Sequence, residues 1–490
     1  MINFATLTQG SDVVISGKIL KMHGWKEGRS VGLAKSAARL LQNQGMEQDA
    51  ILARLDLVRS SPADYLDDPA TGDLAAELLR TQQETARRAE IPVLRTEPLA
   101  YRIWGAEGID LAARTQMDAA MRLPITVSGA LMPDAHVGYG LPIGGVLATQ
   151  DAVIPYAVGV DIACRMRLSV YPAGPDVLDA SPRPYIRALQ DNTYFGAGVV
   201  NPRRPEHEVL DDSGWNATRL LKGLQAIAAK QLGTSGTGNH FVEWGAISIT
   251  EQDSVLGLPP GKYLALLSHS GSRGVGFKIA NAYSKLAMDL HPRLDQSVRH
   301  LAWLTLDSEP GEEYWISMEL AGRFASANHR IIHQRVARAA GLSEIASVEN
   351  HHNFAWRDTI EDATGAARQV IVHRKGATPA GQNVLGVIPG SMGDAGYVVR
   401  GRGEPASLAS AAHGAGRAMS RRAALQSIPK SDRDRYLRER GVTLLGGGID
   451  ESPQAYKRIE AVIAAQRDLV DIVGTFTPRI VQMASEPGDI

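Results

Sequence analysis

The sequence contains only one cysteine, Cys164, among 490 residues. One thiol cannot form an intramolecular disulfide, so disulfide-stabilised folds are excluded and a reducing compartment is indicated. The chain also lacks a run of about 18 apolar residues that would span a membrane. Its first residues lack the basic and then apolar pattern of a signal peptide. We therefore expect a cytoplasmic protein with no membrane segment.

An excess of positive charge is also missing. The 52 Lys and Arg residues are balanced by 53 Asp and Glu residues, which leaves a net charge of −1. This balance excludes a protein that coats nucleic acid through its overall charge. Short basic clusters, such as Arg203–Arg204 and Arg421–Arg422, either contact a few phosphates in a cleft or are solvated surface groups.

The common nucleotide-binding motifs are absent as well. Neither Gly-Lys pair, at 17–18 and 261–262, has the upstream glycine and following hydroxyl of a P-loop. The Gly-rich segments 233–238 and 271–276 have the order G-x-x-G-x-G, which supports a dinucleotide fold poorly. No K-x-D-G motif supplies the lysine nucleophile of ordinary polynucleotide ligases. If a nucleotide is activated covalently, the expected nucleophile is a histidine.

The chain changes character near residue 95. Apolar residues recur with helical spacing in the segments 31–45, 46–61 and 71–90, and Pro62 and Pro69 separate the later segments. Residues 1–95 are therefore predicted to form a small helical accessory module.

Residues 96–490 are predicted to form one large catalytic domain. Short apolar runs lead into Gly-rich loops at 125–149, 263–276 and 369–380, which is typical of strands. Helical patterns cover 312–341 and 455–476. The predicted fold class is therefore α+β, with mixed sheets around a central polar cleft.

Histidine placement is the most informative signal for function. A lone histidine is usually a hydrogen-bonded core or surface residue, but glycine beside it lets the backbone approach an ion or a phosphate. Seven of the 13 histidines lie in Gly-rich or strand-end segments: His136, His240, His269, His351, His352, His373 and His413. Such a concentration favours a metal or catalytic site.

Asp161 and Cys164 are a second candidate pair of ligands. In extended backbone they point to opposite faces, so they converge only if the chain turns between them. Thiolate, imidazole and carboxylate together suit zinc, manganese, iron or cobalt. The alternative is a small, inert buried cysteine.

Eight ordered motifs identify a resemblance. They are PDAHVGYGLPIGG (133–145), GVDIAC (159–164), GTGNHFVEW (236–244), SHSGSRGVG (268–276), HHNFAW (351–356), HRKGATPA (373–380), IPGSMG (388–393) and HGAGRAMSR (413–421). In this order they resemble the RtcB family of RNA ligases over about residues 97–480. The helical module lies outside the resemblance.

The resemblance implies a GTP-dependent enzyme with two Mn²⁺ ions that joins an RNA 3′-phosphate or 2′,3′-cyclic phosphate to a 5′-hydroxyl. By position, Cys164 would bridge the ions, with Asp161 and His240 on one and His269 and His352 on the other. His413 would be the nucleophile that forms a histidine–GMP adduct. Transfer of this GMP would activate the RNA 3′ end.

The resemblance also implies contacts to nucleotide and RNA. Glu243 would accept hydrogen bonds from guanine N1 and N2, and Tyr456 would stack on the base. Further nucleotide contacts are expected from Asn239, Asn353, Ser391, Gly414, Ala415 and Gly416. The expected RNA-binding cations are Arg273, Arg374, Lys375 and Arg417.

Two departures from the family pattern fall on nucleotide contacts. Gly396 precedes Tyr397 where the family usually has serine, and Met483 lies near the place of a C-terminal lysine that contacts guanine. We therefore expect weaker discrimination between GTP and ATP than in relatives.

Two other functions compete with the ligase. A dinuclear phosphoesterase opening 2′,3′-cyclic phosphates would need the metal ligands alone, and an RNA-binding or ribosome-associated protein without catalysis would need none. The joint presence of His413, Glu243 and Tyr456 favours a ligase acting on broken or spliced RNA ends. The identity of any accessory activator stays open.

Overall fold

The computed structural model describes residues 15–26, 28–89, 92–252, 256–361 and 365–485. The chain divides into two compact units, Met1–Ile91 and Pro92–Ile490. The first is helical, and the second combines helices with mixed sheets. The predicted α+β class is confirmed.

The described part of the first unit contains four α-helices around its own apolar core. They are α1 (Gly17–Met22), α2 (Arg29–Asn43), α3 (Gln48–Ser60) and α4 (Gly72–Ala89). On α2 the buried residues Ala34, Ala37, Ala38 and Leu41 follow the spacing of one helix face. This face packs with Leu20, Trp25, Ile51 and Leu55 of the same unit. The three predicted helices of this region are confirmed.

The second unit contains ten further helices in its described part. They are α5 (Leu111–Met121), α6 (Pro155–Val158), α7 (Val177–Ala180), α8 (Pro182–Asn192), α9 (Arg219–Gln231), α10 (Arg273–Leu290), α11 (Glu309–Ala339), α12 (Arg421–Ser427), α13 (Lys430–Glu439) and α14 (Ile459–Ala464). Ser308 caps α11 by accepting a hydrogen bond from the Gly311 amide at 3.2 Å. Across the described residues, no helix combines the length and apolar character that a membrane crossing requires.

The strands of the second unit range from the two residues of β1 to the 14 residues of β17. They are β1 (Arg102–Ile103), β2 (Thr126–His136), β3 (Ile143–Thr149), β4 (Ala152–Val153), β5 (Arg165–Tyr171), β6 (Phe241–Ile249), β7 (Gly261–Ser270), β8 (Leu304–Thr305), β9 (Ala346–His351), β10 (Asn353–Glu361), β11 (Ala367–Lys375), β12 (Ala377–Pro379), β13 (Leu385–Ile388), β14 (Gly396–Gly401), β15 (Ser410–Ala412), β16 (Thr443–Leu444) and β17 (Val470–Met483).

Two sheets dominate the unit. The larger has the order β13-β14-β17-β6-β7-β5-β9, with β16 paired to β17, and the smaller has the order β1-β2-β3-β11-β10. The pairs β1–β2 and β16–β17 are parallel, whereas their neighbours are antiparallel. The expectation of mixed sheets is therefore confirmed.

The helix predicted over 455–476 is wrong for most of its length. The structure has the six-residue helix α14 and then β17, which begins at Val470. The segment Val470–Val473 is rich in β-branched residues, and β14 and β6 lie on either side of β17. Sheet pairing over long sequence distances therefore overrides the local helical pattern.

Candidate active site

Neighbouring strand ends of the larger sheet bring the candidate ligands together. Arg165, which follows Cys164, pairs with Ser270 on one side and His351 on the other. Phe241, which follows His240, pairs with His269. Because these strand ends lie side by side, the sheet brings together Cys164, His240, His269 and His352.

A tight turn completes this convergence. The Cys164 amide donates to the Asp161 carbonyl at 3.1 Å, and Ala163 has a φ of 56°. The Ala163 amide donates to the Asn353 carbonyl at 2.7 Å, and the Asn353 Nδ2 group donates to the Asp161 carbonyl at 3.2 Å. The turn that the sequence required for Asp161 and Cys164 to converge is therefore present.

The resulting cluster has the donor atoms of a metal site. Cys164 Sγ lies 3.4 Å from His240 Nε2 and 3.1 Å from His269 Nε2. Asp161 Oδ2 lies 3.0 Å from His240 Nε2, and the Nε2 atoms of His269 and His352 are 3.2 Å apart. Soft sulfur, imidazole nitrogen and carboxylate oxygen thus point at a common centre, which suits divalent transition metals.

The outer nitrogens of the cluster histidines support this fit. His240 Nδ1 lies 3.1 Å from the Ser235 carbonyl and His269 Nδ1 lies 3.0 Å from the Asn239 carbonyl, which leaves each Nε2 lone pair toward the cluster. Burial lowers the pKa of His269 to about 3 and that of His352 well below its usual value, so both imidazoles are neutral. A neutral imidazole is the form that binds metal ions.

The pKa values of the two acidic groups of the cluster, the Asp161 carboxyl and the Cys164 thiol, are shifted in opposite directions. Burial alone raises the pKa of Asp161, but the hydrogen bond with His240 and the charges of His240 and Arg273 lower it to about 2. Burial and the nearby Asp161 charge raise the pKa of the Cys164 thiol well above its usual value. A bound cation would lower the pKa of the Cys164 thiol and so favour the thiolate.

A cavity of about 630 Å³ opens beside the cluster. Its volume is in the usual range for small-molecule sites. The predicted site residues that line it are Asn239, His269, His352, Ser391, His413, Gly414, Ala415, Gly416, Arg417 and Tyr456. His269 and His352 therefore belong to both the cluster and the cavity wall.

His413 is fixed by a buried carboxylate. Its Nδ1 lies 2.6 Å from Asp134 Oδ2, and the same oxygen accepts hydrogen bonds from the backbone amides of His413 at 3.1 Å and Gly414 at 3.4 Å. Because Oδ2 accepts from these amides, we assign the ring proton to Nδ1 and the lone pair to Nε2. The His413 ring centroid lies 4.8 Å from that of His352.

The segment after His413 forms a Gly-rich wall of the cavity. Gly416 has a φ of 71°, and a Cβ at this position would lie 2.2 Å from the Asp134 carbonyl oxygen. Only glycine fits there without displacing the strand that carries Asp134.

Tyr456 and Arg417 form a second ordered wall. The Tyr456 hydroxyl donates to Glu451 Oε2, and the guanidinium carbon of Arg417 lies 5.3 Å from the Tyr456 ring centroid. Arg417 also contacts Glu451 Oε2 at 3.3 Å, so one carboxylate holds both side chains. Ser391 donates to Asp394 Oδ2 at 2.5 Å on the neighbouring loop.

Other predicted site residues lie outside the cavity lining. Glu243 lies two residues beyond the cavity residue Phe241 on β6, is 4% exposed, and has a pKa that burial raises well above its usual value. The Asn353 Oδ1 atom accepts from the Gly376 amide at 2.8 Å. Glu243 is thus buried beyond the cavity lining, whereas Asn353 is half-buried.

All four predicted RNA-binding cations make internal contacts, and those of Arg417 include Glu451. Arg273 donates through Nε to Thr234 Oγ1 at 3.2 Å and through a terminal nitrogen to the Gly196 carbonyl at 3.1 Å. Arg374 donates to Ser410 Oγ at 2.7 Å, and Lys375 donates to the carbonyls of Tyr139 and Tyr156. Burial lowers the pKa of Lys375 to about 7. Of these four cations, Arg417 alone lines the cavity.

Sequence reasoning assigned no role to Asp134, which contacts His413, to Glu451, which contacts Tyr456 and Arg417, or to the cavity residue Phe241. Asp134 lies in the PDAH motif, where its place between a strand pattern and His136 was an available signal. Glu451 follows a Gly-rich run and had no comparable signal.

The fold and the site define an α+β protein with a cysteine–histidine–aspartate cluster suited to metal ions beside a ligand-sized cavity. The family model for the tRNA-splicing ligase RtcB matches residues 116–216 and 212–484. The chain belongs to the RtcB family of RNA ligases. The family resemblance found in the sequence is confirmed.

Individual relatives agree with this assignment. The RNA-splicing ligase RtcB of Escherichia coli K12 is 32% identical over 413 residues, which cover 78% of this chain and 97% of the relative. The RNA-splicing ligase RtcB of Mycobacterium tuberculosis is 33% identical, with 68% and 91% covered. The tRNA-splicing ligase RtcB of Thermococcus kodakarensis is 31% identical, with 68% and 82% covered.

Proposed function

We propose that this protein joins RNA ending in a 3′-phosphate or 2′,3′-cyclic phosphate to RNA with a 5′-hydroxyl, through a covalent His413–GMP intermediate. The observation that carries the proposal is the Asp134–His413 pair, with its 2.6 Å contact, at the wall of a cavity shared with His269 and His352. A hydrolase that only opens cyclic phosphates has no use for an oriented nucleophile at this place.

Two Mn²⁺ ions fit the cluster under this proposal. Cys164 would be shared, Asp161 and His240 would complete one site, and His269 and His352 the other. The short distances among these donor atoms support the assignment. Bound there, the ions would supply positive charge to phosphate oxygens during phosphoryl transfer.

His413 performs the covalent step. Its Nε2 lone pair attacks the α-phosphate of GTP, a phosphorus–nitrogen bond forms, and pyrophosphate leaves. Asp134 accepts the Nδ1–H hydrogen bond and stabilises the charge that develops on the ring. An oxygen of the RNA 3′-phosphate then attacks the same phosphorus and releases His413.

The final step joins the RNA ends. The 5′-hydroxyl oxygen attacks the activated 3′-phosphate, the new phosphodiester forms, and GMP leaves with its bond to that phosphate broken. A 2′,3′-cyclic end is opened by water before it is activated. The proposed substrates are broken or spliced RNAs in the cytoplasm.

Nucleotide binding is assigned to the cavity walls. Tyr456 would stack on the base, the amides of Gly414, Ala415 and Gly416 would contact phosphates, and Asn239 and Ser391 would donate to sugar or phosphate oxygens. Glu243, from its buried position on β6, would contact the guanine edge, and Asn353 would make a further contact to the nucleotide. Arg417 would contact RNA phosphate, and Arg273, Arg374 and Lys375 are proposed as further cations along the RNA path.

The test uses α-labelled GTP and manganese. Wild-type protein should acquire acid-labile label, and His413→Ala should acquire none, whereas the matched control His207→Ala should label normally. Opening of cyclic phosphates without any label would replace the ligase by the phosphoesterase. Absence of both activities would leave an RNA-binding protein without catalysis.

A further inference from the structure

The first unit separates its charges along the chain. Residues 16–46, which include α1 and α2, contain six Lys or Arg residues and one acidic residue. Residues 47–77, which include α3 and the start of α4, contain two Lys or Arg residues and eight acidic residues. In a protein with a net charge of −1, this asymmetry marks one part of the unit as strongly basic.

The basic side chains lie on the outside of the unit. On α2 the exposed residues Gly32, Lys35, Ser36 and Arg39 are three or four positions apart, so they share the face opposite the buried alanines. An ideal Cβ at Gly17 of α1 lies 4.0 Å from Lys35 Cδ, which places Lys35 beside α1. Lys18 is also exposed, as is Lys26 in the connection. We define Lys18, Lys26, Lys35 and Arg39 as the α1–α2 basic face.

Within the described part of the unit, no carboxylate neutralises the charge of this face. None of its four cations has a carboxylate within 4.0 Å among residues 15–26 and 28–89, leaving aside the side chains of 84 and 86–89. The arginines of the acidic part are paired, since Arg54 contacts Asp68 at 2.7 Å and Arg59 contacts Asp56 at 2.8 Å. The basic face therefore presents net positive charge to an external partner.

We infer that the α1–α2 basic face binds the phosphate backbone of RNA at a site separate from the catalytic cavity. The choice of RNA over another polyanion rests on the proposed ligase function. The match to the family model begins at residue 116, so this site would be an addition to the part shared with the family. Lysine and arginine contacts to phosphates increase affinity without reading base sequence.

The experiment measures RNA binding by the full-length protein without GTP or manganese. The probe is a fluorescent RNA hairpin with a single-stranded tail, titrated between about 50 and 200 mM salt. The charge-neutralised variant is K18Q/K35Q/R39Q, and the matched control K18R/K35R/R39K keeps every charge. All three positions are exposed, and circular dichroism confirms that each variant is folded.

We expect neutralisation to raise Kd about tenfold or more at about 100 mM salt, and to reduce the slope of log K against log[salt] by about 2. The charge-conserving control should match wild type in both. Wild-type Kd and slope in the neutralised variant would overturn the inference, and the face would then serve another partner, such as an acidic protein.

Labelling of His413 by GTP needs no RNA, so it separates the two proposals. If all variants label but neutralisation leaves RNA binding unchanged, the ligase stands and this inference fails. If wild type does not label but neutralisation weakens RNA binding, the ligase fails and the basic face stands.

Discussion

At the scale of single residues, the site combines groups that are far apart in the chain. Asp134 and His413 are 279 positions apart, and their hydrogen bond sets the tautomer of the proposed nucleophile. Local motifs pointed to Cys164, the histidines and His413 because each lies in a recognisable Gly-rich segment. The pairing of Asp134 with His413 had no local signal, since a sequence separation of this size is closed only by the fold.

Replacing Asp134 tests this pairing. Asp134→Asn should slow GTP-dependent labelling of His413 by about two to three orders of magnitude, because an amide does not stabilise charge on the imidazole and permits the wrong tautomer. Single-turnover labelling provides the measurement. The control Asp110→Asn changes a carboxyl that lines the cavity and does not hydrogen-bond to His413, and this variant should label normally. Equal rates in the two variants would remove Asp134 from the mechanism.

Met483 provides a test of base selectivity. It is 4% exposed, lines the cavity and pairs with Phe241 across β17 and β6. Wild type should label with ATP at a rate comparable to GTP. Met483→Lys should raise the GTP-to-ATP rate ratio about tenfold, because a charged donor gains a hydrogen bond to a guanine acceptor. Met419→Lys is the control from the same cavity, and strong exclusion of ATP by wild type would contradict the expectation.

At the scale of elements, periodicity predicted some segments and failed on another. Helix α11 was predicted from its long 3.6-residue pattern, and the strand-and-loop segments were predicted from apolar runs before glycines. The segment 455–476 was assigned to a helix, but Val470 begins a strand with distant partners. Val470 pairs with Gly401 on β14, and Gly474 pairs with Ile249 on β6. A short apolar run does not indicate which distant strands it pairs with, so local spacing does not distinguish a helix from a strand in this segment.

The pairing of β5 with β9 leads to a prediction about how the stability of the fold depends on pH. Glu349 on β9 contacts Arg165 and Arg167 on β5 and is 19% exposed. Burial alone raises its pKa, but Arg165, His329 and Arg167 lower it to about 2, below the usual 4.5. A lowered pKa in the folded state stabilises the fold above about pH 4.5, and this contribution is lost as pH falls toward 2.

Glu349→Gln should therefore destabilise the protein at pH 7 by about 3 kcal/mol, since it leaves the buried Arg165 without its carboxylate, whereas the partly buried Arg167 keeps Glu344. The difference from wild type should shrink between about pH 5 and pH 2. Thermal melts across this range make the measurement, with the exposed Glu251→Gln as control. A difference independent of pH would show that the ion pair does not set the acid stability.

At the scale of the whole molecule, the two units have separate cores, and the family match covers only the second. The cysteine–histidine–aspartate cluster of the second unit contains side chains from the ends of several strands and from the turn before β5. A metal ion held there would add a further link between strands that pair with one another and share an apolar core. Binding to the folded state alone raises stability according to the ligand concentration.

Manganese at about 100 times its dissociation constant should add about 2.7 kcal/mol to the free energy of unfolding. This gain should appear as a rise of a few degrees in Tm. His269→Ala should abolish the rise because His269 contacts both Cys164 and His352, and His291→Gln should retain it. Persistence of the shift in His269→Ala would place the ion elsewhere.

Strand β17 has a consequence for the order in which this protein matures. It lies between β14 and β6 in the larger sheet, and Met483 at its end closes one wall of the cavity. A ribosome makes β17 after every other described strand, so the edges of β14 and β6 that pair with β17 stay open until that moment, although Val387 on β13 already bonds to Asn350 on β9. A nascent chain therefore exposes two open strand edges, and the wall of the cavity is complete only once translation has passed Met483.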